Sequence, residues 1–366
     1  MKKLKNYQLH NYRSKPLYDS HMHLHVELPL DETIGIFNKV MDYMNYEKIT
    51  LEALPSHGIT DNYKALYLKS KINGVYANLG LVHHFDERDT QESYLEQAKT
   101  YHAMGCDGFK MLEGKPDYRK KIAKPLNDKS FDKFYAYAEE NELPIVLHFG
   151  DPKSFWDPKK IPEWALKRGW LYDESYVSFN DMQKEVEGIL EKFPKLNLVI
   201  AHFFFISDDI NYAEWLMNKW DNVCLDITSG SEMYFNFDKN SEAWKEFFVK
   251  YADRIVFGTD IYNWQQDDMT MEQRYAHAVN LQRSFLEKKE PFFDNWRQAE
   301  FRNPFGLDDN VLDKIYNNNF LRLFGKKPKE IDKELIVSQC NKLMSEYNLD
   351  ELESANINQI IKEFSK

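Results

Sequence analysis

Short apolar runs alternate with longer amphipathic stretches along most of the chain. The short runs, rich in β-branched residues, are typical of buried strands and lie at 16–21, 48–54, 74–82, 108–111, 144–148, 198–202, 223–227 and 254–258. In the intervening stretches, for example 129–142 and 180–193, apolar residues recur three to four positions apart, as on one face of a helix. This alternation of strand and helix, repeated eight times, predicts an α/β fold with a parallel sheet.

The positions of the polar residues favour a barrel over an open sheet. Side chains that can bind a metal or exchange a proton lie at or directly after the ends of the first, fifth, sixth and eighth runs: His21 and His23, His148, His202 and Asp260. In an open sheet these four strand ends would not converge, whereas in a closed barrel the C-terminal ends of all strands surround one opening. We therefore expect a (β/α)8 TIM barrel.

The last part of the chain follows a different pattern. After Gly325 the sequence predicts two amphipathic helices with isoleucine, leucine and methionine on one face. We expect residues 1–325 to form the barrel and residues 326–366 to form a C-terminal helical extension, packed on the barrel or on a second subunit. The pattern is compatible with a homodimer and does not require one.

Composition and charge exclude several classes of protein. The 366 residues are 43% apolar and 29% charged, which predicts a large packed core. A net charge of −11 repels phosphate backbones, so no nucleic acid partner is expected. Three widely spaced cysteines indicate neither a disulfide framework nor a cysteine metal site. Neither a signal peptide nor a run long enough to span a membrane is evident, so we expect a cytoplasmic protein with no membrane partner.

The sharpest candidate for chemistry is the pair His21 and His23. Two histidines one residue apart on an extended segment point the same way and can share a metal ion. Such a pair alone is weak evidence, because short motifs often occur by chance, and a single histidine at a strand end is as often a core or rim residue. His148, His202 and Asp260 at three further strand ends favour a metal site over these alternatives.

The order of these residues, together with a lysine in the fourth run, resembles the amidohydrolase superfamily of metal-dependent hydrolases, which have a distorted TIM-barrel fold. The segments FPKLNLVIAHF, VCLDITSG, DRIVFGTDIYNW and KIYNNNFLRLFG resemble, more narrowly, the amidohydrolase-related (amidohydrolase 2) branch. That branch includes aminocarboxymuconate-semialdehyde decarboxylase and dicarboxylate lactonases. The resemblance covers about residues 18–325.

The resemblance implies a ligand set and catalytic roles. His21, His23, His148 and Asp260 would be the metal ligands, and Asp260 and His202 the catalytic residues. Three imidazoles and a carboxylate suit one zinc ion per chain first, with iron, manganese or nickel as alternatives, and leave a position for water whose pKa falls towards about 7. Asp260 could then take a proton from that water, while His202 polarises the scissile carbonyl group.

Five further residues are candidates for the substrate site. Lys110 is either an unmodified, inward-facing lysine that binds substrate or pairs with a carboxylate, or a carbamylated ligand that bridges two metal ions; we favour the first interpretation. Trp156 and Arg168 lie in an aromatic and basic segment after the fifth run, which is either a wall contacting an anionic substrate or a surface loop held by its own tryptophans. Tyr262 and Asn263 directly follow Asp260 and should line the site.

We therefore expect a metal-dependent hydrolase that uses metal-activated water on a small carbonyl substrate, with an amide, a lactone or a related C–N or C–O bond. The first alternative is a lyase, a metal-dependent nonoxidative decarboxylase of a small aromatic or unsaturated carboxylate. The second alternative is an inactive barrel that serves as a binding module; the competent side chain at every expected metal position disfavours it. The substrate itself depends on loop geometry that residue spacing does not encode.

Overall fold

The structure, a computed structural model, describes residues 16–24, 28–83, 93–228, 232–261, 271–294 and 300–366. Within these residues, eight parallel strands form one sheet in chain order. The strands are β1 Leu17–His23, β2 Tyr46–Glu52, β3 Val75–Gly80, β4 Gly108–Gly114, β5 Ile145–Phe149, β6 Leu198–Ile200, β7 Val223–Asp226 and β8 Ile255–Val256. A separate antiparallel pair comprises β9 Phe292–Asp294 and β10 Glu300–Arg302.

The chain that follows β8 pairs with β1 and curls the sheet into a barrel. The Ser20 amide donates to the Phe257 carbonyl oxygen at 3.0 Å, and the Asp260 amide donates to the His21 carbonyl oxygen at 2.8 Å. Met22 and Ile261 form a parallel bridge. These contacts confirm the predicted TIM barrel, and they bring the residues after β8 directly against the end of β1.

Helices separate the strands and cover the outside of the barrel. They are α1 Leu30–Met44, α2 Asp61–Lys71, α3 Tyr94–Ala103, α4 Pro116–Ile122, α5 Asp132–Glu140, α6 Glu163–Lys167, α7 Phe179–Lys192, α8 Ile210–Lys219, α9 Met233–Lys239, α10 Ser241–Lys250, α11 Met271–Glu287, α12 Asp309–Asp313, α13 Asn319–Phe324, α14 Lys333–Glu346 and α15 Glu351–Phe364. Short 3-10 turns occupy Lys153–Trp156, Ala201–Phe205 and Ala252–Arg254, and a π turn occupies Lys314–Asn318. Among the helices described, none has the length and apolarity needed to cross a bilayer.

The interior of the barrel is filled at its N-terminal end. The second residues of β3, β5, β6, β7 and β8 form one apolar cluster with Phe320, Leu323 and Phe324 of α13. The Tyr76 hydroxyl, at the start of β3, donates to the Gly325 carbonyl oxygen at 2.9 Å. Because α13 closes this end, the open end of the barrel is the one where the strands finish.

Helices α14 and α15 pack against the outside of the barrel. Their buried side chains, among them Ile336, Ile357 and Ile360, belong to the same apolar cluster as the helices and strands of the barrel. The segment that leads into α14 is held by the Asp107 carboxylate, which accepts a hydrogen bond from the Lys329 amide at 2.8 Å. The extension therefore shares the core of the barrel.

Candidate active site

Three of the predicted metal ligands form a compact group at the C-terminal end of the barrel. His23 Nε2 lies 3.0 Å and His21 Nε2 lies 3.5 Å from Asp260 Oδ1. One donor atom from each residue falls within 4.8 Å of the other two. Both histidines end β1 and are buried, whereas the Asp260 side chain is 31% exposed and faces the opening. The group joins the two strand ends that the closure of the barrel brings together.

The second nitrogen of each histidine in this group already has a partner. His21 Nδ1 lies 2.8 Å from Asp226 Oδ2, and His23 Nδ1 lies 2.9 Å from the Glu52 carbonyl oxygen. Because both partners are acceptors, each Nδ1 carries the proton and each Nε2 keeps a lone pair. Histidines oriented in this way by a carboxylate or a carbonyl oxygen are typical metal ligands. The donor set of this group therefore fits a divalent metal ion.

His202 and His148 lie beside this group and contact each other. His202 Nε2 is 3.2 Å from His148 Nδ1 and 3.9 Å from Asp260 Oδ2. His148 Nε2 is 3.0 Å from the Gly150 carbonyl oxygen, so it carries the proton and Nδ1 keeps the lone pair. His148 thus joins the compact group through His202, and its role as a fourth ligand stays a prediction.

The Thr228 hydroxyl determines which ring nitrogen of His202 carries the proton. The Thr228 hydroxyl donates to Asp226 Oδ1 at 2.5 Å, so its oxygen accepts from His202 Nδ1 at 3.1 Å. His202 Nε2 is then unprotonated and faces the lone pair of His148 Nδ1. Two facing lone pairs at this distance are stable only with a cation between them, either a proton on one ring or a metal ion.

The turn that carries His202 differs from the sequence expectation. The sixth strand was predicted to run to His202, but β6 ends at Ile200, and residues 202–205 all have left-handed backbones, with φ of 55°, 53°, 56° and 50°. This conformation costs non-glycine residues about 1–2 kcal/mol each. Burial of Phe203, Phe204 and Phe205 in the core offsets that cost. The turn points the three rings inward and leaves His202 in the opening.

Asp226 is a residue of the candidate site that the sequence argument did not identify. Its carboxylate accepts hydrogen bonds from His21 Nδ1, from the amide and hydroxyl of Thr228, and from the His202 amide at 2.8 Å. Burial alone would raise the pKa of Asp226, but the hydrogen bond from His21 holds that pKa below its usual value. The signal was present, since Asp226 is the one charged residue within the seventh apolar run, 223–227.

Trp156 and Arg168, two further predicted substrate residues, lie in the segment after β5. Trp156 packs on Phe179, and its Nε1 donates to the Val177 carbonyl oxygen at 3.1 Å. Arg168 is exposed and lies over the rings of Trp164 and Trp170, at 5.6 and 5.1 Å from their centroids. These contacts hold the loop after β5 together, and a role for either side chain in binding substrate stays a prediction. The predicted residues Tyr262 and Asn263 lie outside the described residues.

The family model for amidohydrolases, Amidohydro_2, matches residues 19–326. The chain belongs to this amidohydrolase family. The match begins two residues before His21 and ends directly after Gly325, which agrees with the range of the resemblance seen in the sequence. A search of curated proteins gives no significant match.

Solved structures share the fold of this amidohydrolase. One is a probable 2-pyrone-4,6-dicarboxylic acid hydrolase from Acinetobacter baumannii with citric acid bound, 13% identical, with a TM-score of 0.52 over 85% of this chain and 100% of that one. Another is 2,6-dihydroxybenzoate decarboxylase from Rhizobium, 15% identical, with a TM-score of 0.50 over 85% of this chain and 98% of that one. At these identities the likeness shows the barrel and no more.

Lys110 of β4 adds a buried cation to the site of this amidohydrolase. Its side chain is almost fully buried, and Nζ lies 2.8 Å from His21 Nε2. Burial lowers the pKa of Lys110, and the nearby carboxyl group of Glu52 is the strongest influence in the opposite direction. The lysine faces inward, as predicted, and both interpretations of its role stay predictions.

The pKa shifts of the compact group favour the forms that bind metal. Burial, and then the charge of Lys110, lower the pKa of His21 to about 4, so this histidine is neutral at pH 7. Burial alone would raise the pKa of Asp260, but the neighbouring histidines, His202 first and then His23 and His21, hold it well below its usual value. A neutral imidazole beside an ionised carboxylate is the state in which both groups bind a metal ion.

Proposed function

We propose that the protein is a metal-dependent hydrolase that acts on a small carbonyl substrate, with an amide, a lactone or a related C–N or C–O bond. The observation that supports this proposal is the compact group of His21, His23 and Asp260 at the open end of the barrel, with the second nitrogen of each histidine already bonded. These three residues, with His148 as the fourth ligand, would hold one divalent ion, zinc first. A second ion would be expected only if Lys110 is carbamylated.

The side chains of the site have separate roles in this proposal. A divalent metal supplies Lewis-acid chemistry, since it polarises a carbonyl group and lowers the pKa of water. Asp260, ionised and partly exposed, accepts a proton from the attacking water and returns it to the leaving group. His202, whose ring is fixed by Thr228, orients the substrate carbonyl group and stabilises the charge that develops on its oxygen.

A second candidate is a nonoxidative decarboxylase of a small aromatic or unsaturated carboxylate. The buried Lys110 ammonium beside His21 favours it, because a cation at this place can hold a substrate carboxylate against the catalytic group. In either reaction Lys110 would contact the substrate, with Trp156, Arg168, Tyr262 and Asn263 as further candidates for substrate binding. The three cysteines are buried and unpaired with one another, which suits the cytoplasm.

The test combines metal analysis with product analysis. We expect about one equivalent of divalent metal per chain, lost on chelation and restored by zinc. A panel of lactones, amides and aromatic carboxylates is then assayed for hydrolytic products and for released carbon dioxide. Hydrolysis that disappears on chelation supports the first candidate, and carbon dioxide release without hydrolysis supports the second.

Variants connect these results to the site. His21→Asn and Asp260→Asn should lose bound metal and at least about 10²-fold in turnover, on the scale typical of catalytic groups. Asp253→Asn, on an exposed carboxylate that pairs with Lys314, is the matched control and should behave as wild type. Absence of bound metal after reconstitution, together with unchanged behaviour of the first two variants, would contradict both candidates and favour an inactive binding module.

A further inference from the structure

Lys110 contacts the nitrogen of His21 that a metal ion would need. Its Nζ lies 2.8 Å from His21 Nε2, while the other ring nitrogen, Nδ1, donates to Asp226 Oδ2 at 2.8 Å. Nε2 therefore has one lone pair, and this lone pair accepts from the lysine. A metal ion and the lysine cannot use the same lone pair, so an ion that binds His21 must first break this hydrogen bond.

A lysine released from His21 needs another acceptor, because it lies in the interior of the barrel. Lys110 is only 1% exposed. A buried ammonium group without a partner loses the hydrogen bonds that it makes in water, and this loss opposes its release. The exchange of the lysine for a metal ion is therefore favourable only if a second acceptor lies within reach of Nζ.

Glu52, at the end of β2, has a carboxylate oxygen that fits this requirement. Its side chain is fully buried, and Oε1 accepts from Asn78 Nδ2 at 2.7 Å. Its other oxygen, Oε2, is buried and has no hydrogen-bond partner among the residues that the structure describes. Native proteins rarely leave a buried carboxylate oxygen in this state, so a donor is expected there in another state of the site.

The strand register places Lys110 and Glu52 on the same inner wall of the barrel. Glu52 pairs with Asn78 of β3, and Lys110 of β4 pairs with Gly80, two residues further along β3. Positions two residues apart on a strand face the same side of the sheet, so Lys110 and Glu52 both face the interior from strands on either side of β3. Burial lowers the pKa of Lys110, and Glu52 opposes this effect more strongly than any other group.

We propose that Lys110 and a divalent metal ion exclude each other at His21 Nε2, and that Glu52 receives the lysine when the ion binds. Nζ exchanges one acceptor for another by rotation of the flexible lysine side chain, and no covalent bond changes. This inference rests on the proposed function, because it requires a metal ion at His21. It requires an unmodified lysine and is incompatible with a carbamylated ligand. An ammonium group has three donors, so a lysine held by Glu52 can still contact the substrate.

The zinc affinities of wild type, Lys110→Met, Glu52→Gln and the double variant test the exchange, measured at one pH by competition with a chelating dye. Lys110→Met removes the competitor, so zinc should bind about tenfold or more tightly, the ratio typical of one hydrogen bond with a charged partner. Glu52→Gln replaces the acceptor by a neutral amide and should weaken zinc binding about tenfold.

The double variant separates the exchange from simple attraction between zinc and the Glu52 charge. In the Lys110→Met background, Glu52→Gln should change the zinc affinity by less than about threefold, because no lysine remains to be received. Simple attraction would instead give the same effect of Glu52→Gln in both backgrounds, and that result would overturn the inference.

Glu113 of β4 provides a matched control. It lines a small cavity together with Lys110, and its Oε1 lies 2.5 Å from His83 Nε2, while its Oε2 also has no hydrogen-bond partner within the described part of the chain. Glu113→Gln removes the same charge as Glu52→Gln and should leave the zinc affinity within about threefold of wild type. If Glu113→Gln weakened zinc binding and Glu52→Gln did not, the assignment of Glu52 as the acceptor would be wrong.

The remaining outcomes distinguish this inference from the proposed function. In a crystal structure of the zinc-loaded protein, Lys110 Nζ should lie about 3 Å from Glu52 Oε2 and no longer contact His21. An unchanged zinc affinity in Lys110→Met would refute the competition and leave the hydrolase standing. Loss of zinc from Lys110→Met would identify the lysine as a ligand and would also refute the competition. Absence of zinc binding in all the proteins would overturn the inference and the proposed function together.

Discussion

At the scale of single residues, Asp226 connects the two halves of the site. Both of its oxygens are used, one by His21 and the other by Thr228 and the His202 amide. One buried carboxylate therefore orients a candidate metal ligand on β1 and fixes the turn that carries His202 after β6. In the proposed reaction such an acceptor would act on the metal and on the substrate without touching either.

The variant Asp226→Asn tests this connection. An amide places an NH2 group against donors that need acceptors, so we expect the free energy of unfolding to fall by about 2–4 kcal/mol. Zinc affinity should fall about 10- to 100-fold, because His21 loses its orienting partner. Urea denaturation and a zinc titration measure the two effects. Asp253→Asn is the matched surface control, with an expected change within about 1 kcal/mol, and equal behaviour of the two variants would contradict the role.

His21 makes the stability of the metal-free protein depend on pH. Burial, then Lys110, lower its pKa to about 4 in the folded state, while an unfolded histidine titrates near 6.5. Between these values only the unfolded chain takes up the proton, so stability is complete above about pH 6.5 and falls by about 3 kcal/mol as the pH drops to 4. Urea midpoints of wild type and His21→Gln, measured with a chelator, check this. Parallel pH profiles for the two proteins would contradict it.

At the scale of elements, the site depends on how closely β4 and β5 approach at their C-terminal ends. Gly114 ends β4 and pairs with Phe149 of β5, and a methyl group on Gly114 would lie 2.0 Å from the His148 carbonyl oxygen. The Gly150 amide also donates to the Gly114 carbonyl oxygen at 2.8 Å. Only glycine permits this approach, which places His148 beside His202.

Gly114→Ala should therefore separate the ends of β4 and β5 and displace His148. We expect a loss of about 1–3 kcal/mol in unfolding free energy, the usual effect of overpacking, together with shifted NMR signals of the His148 and His202 rings. Gly35→Ala is the matched control, because a methyl group there meets nothing within 4 Å and lies on helix α1. That change should stabilise by about 0.5–1 kcal/mol. A Gly114→Ala protein with wild-type stability and unshifted ring signals would refute the close approach.

The elements also show what could be predicted from the sequence. The apolar runs located all eight barrel strands, because a strand buried on both faces has a continuous apolar pattern. The end of β6 was predicted two residues too late. The left-handed turn at residues 202–205 contains no glycine, which is the residue that usually indicates such a turn in a sequence. The turn is imposed by the burial of three phenylalanines, which is a tertiary effect and not a local preference.

For the candidate site, too, the positions along the strands were predictable and the tertiary contacts were not. Residues at strand ends could be found because the barrel brings those ends together, which identified His21, His23 and Asp260. The partners that orient them could not, since the contact between His21 and Asp226 joins residues 205 positions apart. The bond between His83 and Glu113 likewise depends on the geometry of two neighbouring strands.

At the scale of the whole molecule, the barrel and its extension share one core. The buried side chains of α14 and α15 lie in the same apolar cluster as the barrel, and Phe364 contacts the Tyr67 ring of α2 with centroids 5.6 Å apart. On the other side of α15, the Asn356 side chain accepts from the Leu30 amide at 3.2 Å. These contacts predict that residues 326–366 unfold together with the barrel and not as a separate unit.

The variant Ile360→Ala tests this coupling through a signal that comes from the barrel alone. All eight tryptophans precede residue 326, so tryptophan fluorescence reports only on the unfolding of the barrel. Truncation of the fully buried Ile360 in α15 should lower the unfolding free energy detected in this way by about 2–4 kcal/mol, while the transition stays single. Asn358→Ala, on the exposed side of the same helix, should change it by less than about 0.5 kcal/mol. If the extension were an independent unit, Ile360→Ala would leave the fluorescence transition in place and add an earlier transition, visible only by circular dichroism.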